Sequence, residues 1–365
     1  MPYCSKCGAK LDEEAKFCPT CGVPVGPPEA EPERRRKERR PISTLAIVLI
    51  ALLVIAAGIV AIAALAFLPV YTVGPVTRQM SVPSKSGVNT LNLDLTADVA
   101  EINIAFENLT GELQSPSIIL NASATARVGV FGSTESLERF MPDWQNTTEY
   151  FFVSNSNVLT VTVRQDVDTI HWPRYYSLNV TFDIRIDPSM NTSLNVETST
   201  GGIVLDTQAG VVLNSLSLEA TTGGVEANLV EDVVVAGDFS VKTTTGGVKL
   251  SWDNVIATND VLVDATTTTG GVDVDVTQDE GPLGKVTLRA EVVTGGVNFA
   301  IDIQGDVGAK IESSVTTGGI DIVKKVGFSG PEALLQSSNY PASSNFDVSL
   351  KITTGGIDVD AKHTP

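Results

Sequence analysis

Apolar and polar residues alternate in twos over most of the chain beyond residue 83. Val272-Asp273-Val274-Asp275, Ile320-Asp321-Ile322 and Leu91-Asn92-Leu93-Asp94-Leu95 each put apolar side chains on one face and polar ones on the other. That period is the period of a β-strand with one buried face. Glu101-Ile102-Asn103-Ile104-Ala105, Val158 to Val163 and Leu178 to Ile186 read the same way. Between them, Ser133 to Met141 predicts one short helix, ended by Pro142.

One phrase punctuates the alternation seven times: Thr200-Gly201-Gly202-Ile203, then Thr-Gly-Gly-Val/Ile beginning at Thr222, Thr245, Thr269, Thr294, Thr317 and Thr354. Successive copies lie 22, 23, 24, 25, 23 and 37 residues apart, a spacing that marks stacked repeats. Helical repeats would not carry paired glycines in their middles. Each repeat therefore reads as strand, Gly-Gly corner, strand and loop. The fold class expected is mainly β: a right-handed parallel β-solenoid over 191–365, with about seven rungs.

In that reading Ile203, Val225, Val248, Val272, Val297, Ile320 and Ile357 stack as one core column. Leu205, Ala227, Leu250, Val274, Phe299, Ile322 and Val359 form a second. Val204, Glu226, Lys249, Asp273, Asn298, Asp321 and Asp358 face outward. The threonines before the glycine pairs are expected to satisfy polar groups at the bend through their stacked hydroxyls. The surplus in the last interval, Lys324 to Phe346, is expected to leave the stack as a loop.

Residues 83–190 are expected to be degenerate rungs or a separate β-rich cap, since a first rung needs its core and strand edge covered. Ten of the 21 aromatic residues fall between Phe131 and Phe182, among them Trp144, Trp172, Tyr175 and Tyr176. Large rings sealing the end of the stack account for them, and a ligand platform is the other reading.

Upstream the pattern changes. From Ile42 to Leu68 no residue is charged over 27 positions, enough to cross a hydrocarbon core of ~30 Å at ~1.5 Å per residue. Before it stands Arg34-Arg35-Arg36-Lys37-Glu38-Arg39-Arg40. Basic residues flanking a span stay in the cytoplasm, so a plasma-membrane protein is expected, single-pass, with a cytoplasmic N-terminus and an extracytoplasmic C-terminal domain. The implied domains are a head at 1–23, a Pro/Glu/Arg-rich basic linker at 24–41, the transmembrane helix at 42–68, a stalk at 69–82, the β-rich segment 83–190 and the repeats 191–365. The lipid bilayer is the first partner implied.

All four cysteines lie in the head, as Cys4-x2-Cys7 and Cys18-x2-Cys21. Two such pairs complete the four-sulfur tetrahedron of structural Zn²⁺ and leave no open position for catalysis. The head resembles the short zinc-ribbon modules of many prokaryotic proteins. A redox pair or two disulfides are the alternatives. Beyond residue 41 there are 16 Lys/Arg against 36 Asp/Glu, a field that argues against nucleic acid as a partner. Sequons at Asn108, Asn121, Asn146, Asn179 and Asn191 are glycosylation candidates on the outer side.

The Thr-Gly-Gly-Ile/Val rungs resemble the prokaryotic "putative adhesin" family of membrane-anchored, glycine-rich β-solenoid ectodomains, over roughly 85–365 and most clearly from Leu194 to Ala361. Family members often carry Gly-polar-Gly followed by Asp; here the phrase is Gly-Gly-Ile/Val. The resemblance implies a non-catalytic protein for cell-envelope binding or adhesion, with an envelope glycan or protein as ligand. The alternative is an envelope sensor that couples the ectodomain to a cytoplasmic protein partner at the ribbon. A polysaccharide-acting enzyme is the third class. Its expected site is missing from the pattern: the outward acids Asp273, Asp275, Asp321, Asp358 and Asp360 are spread along one face, and the two histidines are His171 and His363. Calcium-binding β-rolls share Gly- and Asp-rich turns, but their nonapeptide period is far shorter.

Overall fold

The computed structural model describes residues 2–25, 44–66, 71–84, 86–110, 116–128, 137–141, 157–167, 175–279, 281 and 284–365. The chain divides into two units, Met1–Phe67 and Leu68–Pro365. In the first, two short knuckles precede helix α1 (Thr44–Ala66), 23 residues without a charge. Its uninterrupted run of described side chains is 48–58, all exposed. Among the described residues alone, no helix is long and apolar enough to cross a membrane.

The second unit is mainly β. It opens with β1 (Tyr71–Pro83), β2 (Thr90–Val99), β3 (Glu101–Phe106) and β4 (Pro116–Val128). Next come β5 (Val158–Gln165), β6 (Tyr175–Ile186), β7 (Asn191–Thr200), β8 (Ile203–Asp206), β9 (Val212–Thr222) and β10 (Val225–Leu229). The middle holds β11 (Val234–Val235), β12 (Phe239–Thr245), β13 (Val248–Asp253), β14 (Ile256–Ala257) and β15 (Val261–Gln278). The last are β16 (Val286–Gln304), β17 (Val307–Val326), β18 (Phe328–Ser329), β19 (Leu334–Ser337) and β20 (Ser344–Thr364).

From repeat to repeat the pairing is parallel and in register. Thr200 faces Thr222, Thr222 faces Thr245, Thr245 faces Thr269 and Thr269 faces Thr294. Beyond Thr294 the stack departs from chain order. Thr294 faces Thr354, and Thr354 faces Thr317. The last strand has been laid between β16 and β17, so β17 is the outermost rung.

The upstream end is shuffled in the same way. β2 lies between β5 and β7, and β3 between β6 and β8, all parallel. Val99 stands opposite Thr200 and Ile102 opposite Ile203. Residues 90–106 are thus a rung without glycines, and residues 158–165 and 181–186 form the next one out. Beyond them β4 pairs antiparallel with β6, and β1 antiparallel with β4. The described parts of segment 83–190 supply two rungs and, in β4, half of a finishing layer; the other half is β1, so residues 71–82, expected as a stalk, are instead a strand paired along β4. Of the helix expected at 133–141, the described part is a single 3-10 turn, Glu138–Phe140. Trp144 and Trp172 lie outside the described residues, as do the side chains of Tyr175 and Tyr176.

The two predicted core columns are buried in every rung except the outermost. Ile203, Val225, Val248, Val272, Val297 and Ile357 are all 0–1% exposed. Ile320 and Ile322, on β17, are only partly buried because no further rung covers them. The surplus Lys324 to Phe346, expected as a loop, instead folds back onto this end. There β18 pairs antiparallel with β19, and β19 with β17 over Lys310–Glu312. Beyond Ser313 the edge of β17 is blunted by a bulge between Ile322 and Lys324 and by Lys324 and Lys325. Lys325 lies opposite the buried Ala361. Bulges and lysines at a strand edge discourage pairing with another chain.

The corner has a sharper requirement than a pair of glycines suggests. At Gly223 φ is +143°, and a Cβ there would lie 1.8 Å from the carbonyl oxygen of Gly201 on the neighbouring rung. No side chain fits. At Gly224 φ is not positive, and a Cβ would meet its nearest neighbour at 3.6 Å, an ordinary contact. The first glycine of each doublet has a positive φ in all seven repeats. It is the residue that lets the rungs close up.

The expected role of the doublet threonines is corrected here. Thr200, Thr222, Thr245, Thr269, Thr294, Thr317 and Thr354 are all exposed, so their hydroxyls meet solvent. The buried hydroxyls sit two positions earlier. Thr243 Oγ1 donates to the Gly223 carbonyl (2.9 Å), Thr267 Oγ1 to that of Gly246 (3.1 Å) and Thr198 Oγ1 to that of Ala100 (3.3 Å). A buried hydroxyl needs such a partner, whereas an exposed one has water.

The inserted strand is pinned by Asp347. Its carboxylate accepts from the Tyr340 hydroxyl (2.8 Å) and pairs with Lys285 Nζ. Burial pushes the Asp347 carboxyl up, but the bonds from Lys285 and Tyr340 outweigh it and leave it below the usual carboxylate value. A depressed carboxyl contributes stability above its unfolded pKa and loses it as pH falls through the folded one.

Two outcomes follow. In urea titrations Gly223→Ala should lose at least about 3 kcal/mol, or fail to fold, while Gly224→Ala stays within about 1 kcal/mol of the parent. Asp347→Asn should cost about 2 kcal/mol at neutral pH. That difference should shrink as pH falls below about 4, as read from unfolding midpoints across pH.

Candidate functional site

The four cysteines converge. Each knuckle closes on a glycine of positive φ, Gly8 at +72° and Gly22 at +67°. The Gly8 N–H donates to the Cys4 carbonyl (2.9 Å) and the Gly22 N–H to that of Cys18 (2.8 Å). Short bridges Tyr3–Lys10 and Phe17–Pro24 flank the two turns, so the knuckles are built alike. Cys4 and Cys18, both buried, pack with Leu11 into a small core of their own.

The Sγ atoms of Cys4 and Cys21 are 3.6 Å apart, as are those of Cys7 and Cys18, and all four lie within 4.8 Å of one another. A disulfide needs about 2.05 Å. Four thiolates about 2.3 Å from one central ion would stand roughly 3.8 Å apart, so the donor set fits a tetrahedral metal.

The thiols also compete for charge. Backbone N–H groups of Lys6 and Cys7 lower Cys4, and that of Thr20 is the chief cause holding Cys18 down to about 6. The Val23 N–H pulls Cys21 down as well. It is outweighed by Cys7, burial, Cys18 and Cys4, which push Cys21 up to about 12. Cys7 is likewise raised: the Ala9 N–H and Cys21 lower it, but Cys18, burial and Cys4 prevail. Four neighbouring thiolates repel one another, and a divalent cation among them removes the conflict.

In the second unit the residues expected to face outward do so, across the strands that follow the glycine pairs. Cross-rung bonds tie them together: Lys249 Nζ to Glu226 Oε1 (2.6 Å), Asn228 Nδ2 to Asp206 Oδ1 (2.8 Å) and Asn298 Nδ2 to Asp273 Oδ1. The Lys249 bond holds Glu226 below the usual carboxylate value and raises Lys249. Two shallow grooves run here. One, of about 380 Å³, crosses Gly202, Gly224 and Gly247 between Val204, Glu226 and Lys249. The other, of about 500 Å³, carries Asp273, Asp275, Asp358 and Asp360.

Of the sequons, Asn108 and Asn179 are exposed, Asn121 and Asn191 are half-buried within strands, and Asn146 lies outside the described residues. Asn108 Oδ1 accepts from both the backbone and the hydroxyl of Thr110, so that sequon sits in a tight turn. His171 also lies outside the described residues. His363 is 2% exposed, with Nδ1 3.0 Å from Ser338 Oγ and Nε2 3.3 Å from the Gly305 carbonyl, inside the fold-back at the far end of the stack.

Residues 3–25 match the zinc-ribbon domain family. The head of this chain is similar to a zinc ribbon. No curated protein matches the chain. Among solved structures, a "putative cell adhesion protein" from Clostridium sporogenes is similar at a TM-score of 0.35 and 14% identity, over 79% of this chain and 100% of that one. A "putative adhesin" from Bacteroides fragilis gives 0.34 and 12%, over 78% and 97%. A "putative lipid binding protein" from Parabacteroides distasonis gives 0.31 and 8%, over 80% and 97%. At such TM-scores these similarities have no bearing on function.

Zinc titrated into the metal-free chain should bind one equivalent, with loss of four thiols to a thiol reagent. Cys18→Ser should weaken binding at least 100-fold, read by competition with a chromogenic chelator. Two disulfides in the purified chain, or undiminished binding by the variant, would contradict the four-sulfur site.

Proposed function

We propose that this is a non-catalytic, single-pass membrane protein that presents a right-handed parallel β-solenoid outside the cell for envelope binding or adhesion. The observation that carries this reading is the shared register of the outward column from Val204 through Glu226, Lys249, Asp273 and Asn298 to Asp358. A stack of in-register rungs is a rigid, extended surface with polar groups repeating at about 4.8 Å, suited to a polymeric or multivalent partner. Structural Zn²⁺ at Cys4, Cys7, Cys18 and Cys21 gives the head a stability that a core of so few residues cannot supply. The uncharged run 42–68 crosses the bilayer, and the basic cluster at 34–40 keeps the head in the cytoplasm. The second unit then lies outside, where its lack of cysteine suits an oxidising medium.

A second reading has an observation of its own. Tyr3 and Phe17 occupy equivalent places in the two knuckles and are 62% and 63% exposed. Paired exposed rings on so small a module suit a cytoplasmic protein partner, as in an envelope sensor.

Both readings are testable in cells. Asp273→Cys should react with a membrane-impermeant maleimide on intact cells, and labelling only after lysis would overturn the topology. The full chain in nanodiscs should bind at least one member of a panel of envelope glycans and proteins without altering it. Release of cleaved glycan would identify an enzyme. Cytoplasmic crosslinks lost in a Tyr3→Ser/Phe17→Ser variant would favour the sensor.

A further inference from the structure

On the sheet face that leads into the glycine corners lies a third groove, of about 460 Å³. It is lined by Lys242, Asp264, Arg289, Glu291, Lys351 and Val293. The hydroxyl-bearing residues Thr266, Thr268 and Thr353 complete it. The fold-back at the end of the stack creates this combination. In chain order Arg289 would face Glu312 and Glu291 would face Ser314. Because β20 is inserted, Arg289 faces Ser349 and Glu291 faces Lys351. The insertion separates a cation from an acid that would have neutralised it, and brings in another cation.

The charges here are only loosely paired. Lys249–Glu226 and Lys362–Asp302 close to 2.6 and 2.7 Å elsewhere on the stack. In the groove, Arg289–Asp264 and Lys351–Glu291 both stand at 3.9 Å, beyond hydrogen-bonding distance. Exposed charges gain little from one another, so these donors and acceptors can turn to a ligand at small cost. The groove carries three cations against two acids, whereas the chain as a whole carries 25 against 43. Val293, 48% exposed, is the one apolar residue in an outward column otherwise made of Ser199, Thr221, Thr244, Thr268, Thr353 and Thr316.

We infer that this groove binds an acidic saccharide, a glycan chain whose sugars bear carboxylate groups. The inference rests on the binding reading above and names its ligand class. Arg289 and Lys351, with Lys242 beside them, engage the carboxylates through charge-assisted bonds. Asp264, Glu291 and the threonine hydroxyls take the sugar hydroxyls, and Val293 meets a C–H face of the ring. The two acids disfavour a bare polyanion, which has charge to place but few hydroxyls to donate.

The test is binding of polygalacturonate to the full chain in nanodiscs, beside its methyl ester and inorganic polyphosphate, at fixed ionic strength. Polygalacturonate should bind, and the methyl ester and polyphosphate at least about tenfold more weakly. Arg289→Gln and Lys351→Ser should each weaken binding about tenfold or more, with Arg164→Gln, exposed on the upstream rung and outside all three grooves, unchanged. Arg289 and Lys351 are 50% and 62% exposed, so both variants should keep the parental urea midpoint. Equal binding of polyphosphate would overturn the saccharide assignment. Binding unaffected by both groove variants would overturn the groove and leave the binding reading standing. If neither polygalacturonate nor any member of the envelope panel binds, both fall.

Discussion

The stack depends on one steric constraint, the closeness of neighbouring backbones at the glycine corner. A Cβ on the first glycine of a doublet would lie 1.6 to 1.9 Å from backbone oxygen on the adjacent rung in every repeat. Only hydrogen fits there. Because the corners touch, the strands on either side hold one register, and alternation then places one apolar column above another. The core is thus a consequence of the corner: a β-branched residue follows each doublet because that position turns inward directly after the bend.

Neither end of the stack can be finished by the repeat itself, and both ends use the same device. Downstream the chain lays down an outer rung, returns, and places a strand inside it; upstream the order is reversed, the inner rung coming first and the outer one being laid over it. Upstream, residues 90–106 are enclosed by 158–186; downstream, β20 slides between β16 and β17. Antiparallel strands then cover part of each outer rung, β6 at one end and β17 as far as Ser313 at the other. Strands enclosed between two rungs, such as β2 and β20, cannot leave without breaking two ladders, which favours a stack that opens as a whole.

Much of this was legible. The seven doublets, the two core columns and the outward residues could be read because periodicity of two and recurrent glycine report directly on backbone geometry. The cysteine knuckles were equally plain, since four thiols at that spacing have few other uses. What escaped has a physical reason in each case. Both doublet glycines look alike in sequence, yet only the first is needed, because the difference lies in a contact with another rung. The exposed Thr222 and the buried Thr243 carry the same side chain, and only the turn of the strand tells their roles apart. Lys324 to Phe346 contains glycine and proline and so resembles a loop, although half of it forms a cap. The order of the last two rungs leaves no local trace, since Ile320 and Ile357 are equally suited to either place. The groove around Arg289 was hidden for that reason.

The most direct test of this account is a pair of engineered crosslinks on the outer face. Asn298 and Asp358 are exposed and directly opposed on adjacent rungs, whereas Asp321 lies one rung further out. Parallel neighbours in register lie within disulfide reach, and residues two rungs apart do not. Under mild oxidation Asn298→Cys/Asp358→Cys should form an intramolecular disulfide and Asn298→Cys/Asp321→Cys should not. The opposite pattern would mean that the rungs stack in chain order, and crosslinking in neither variant would mean that the doublets do not stack at all.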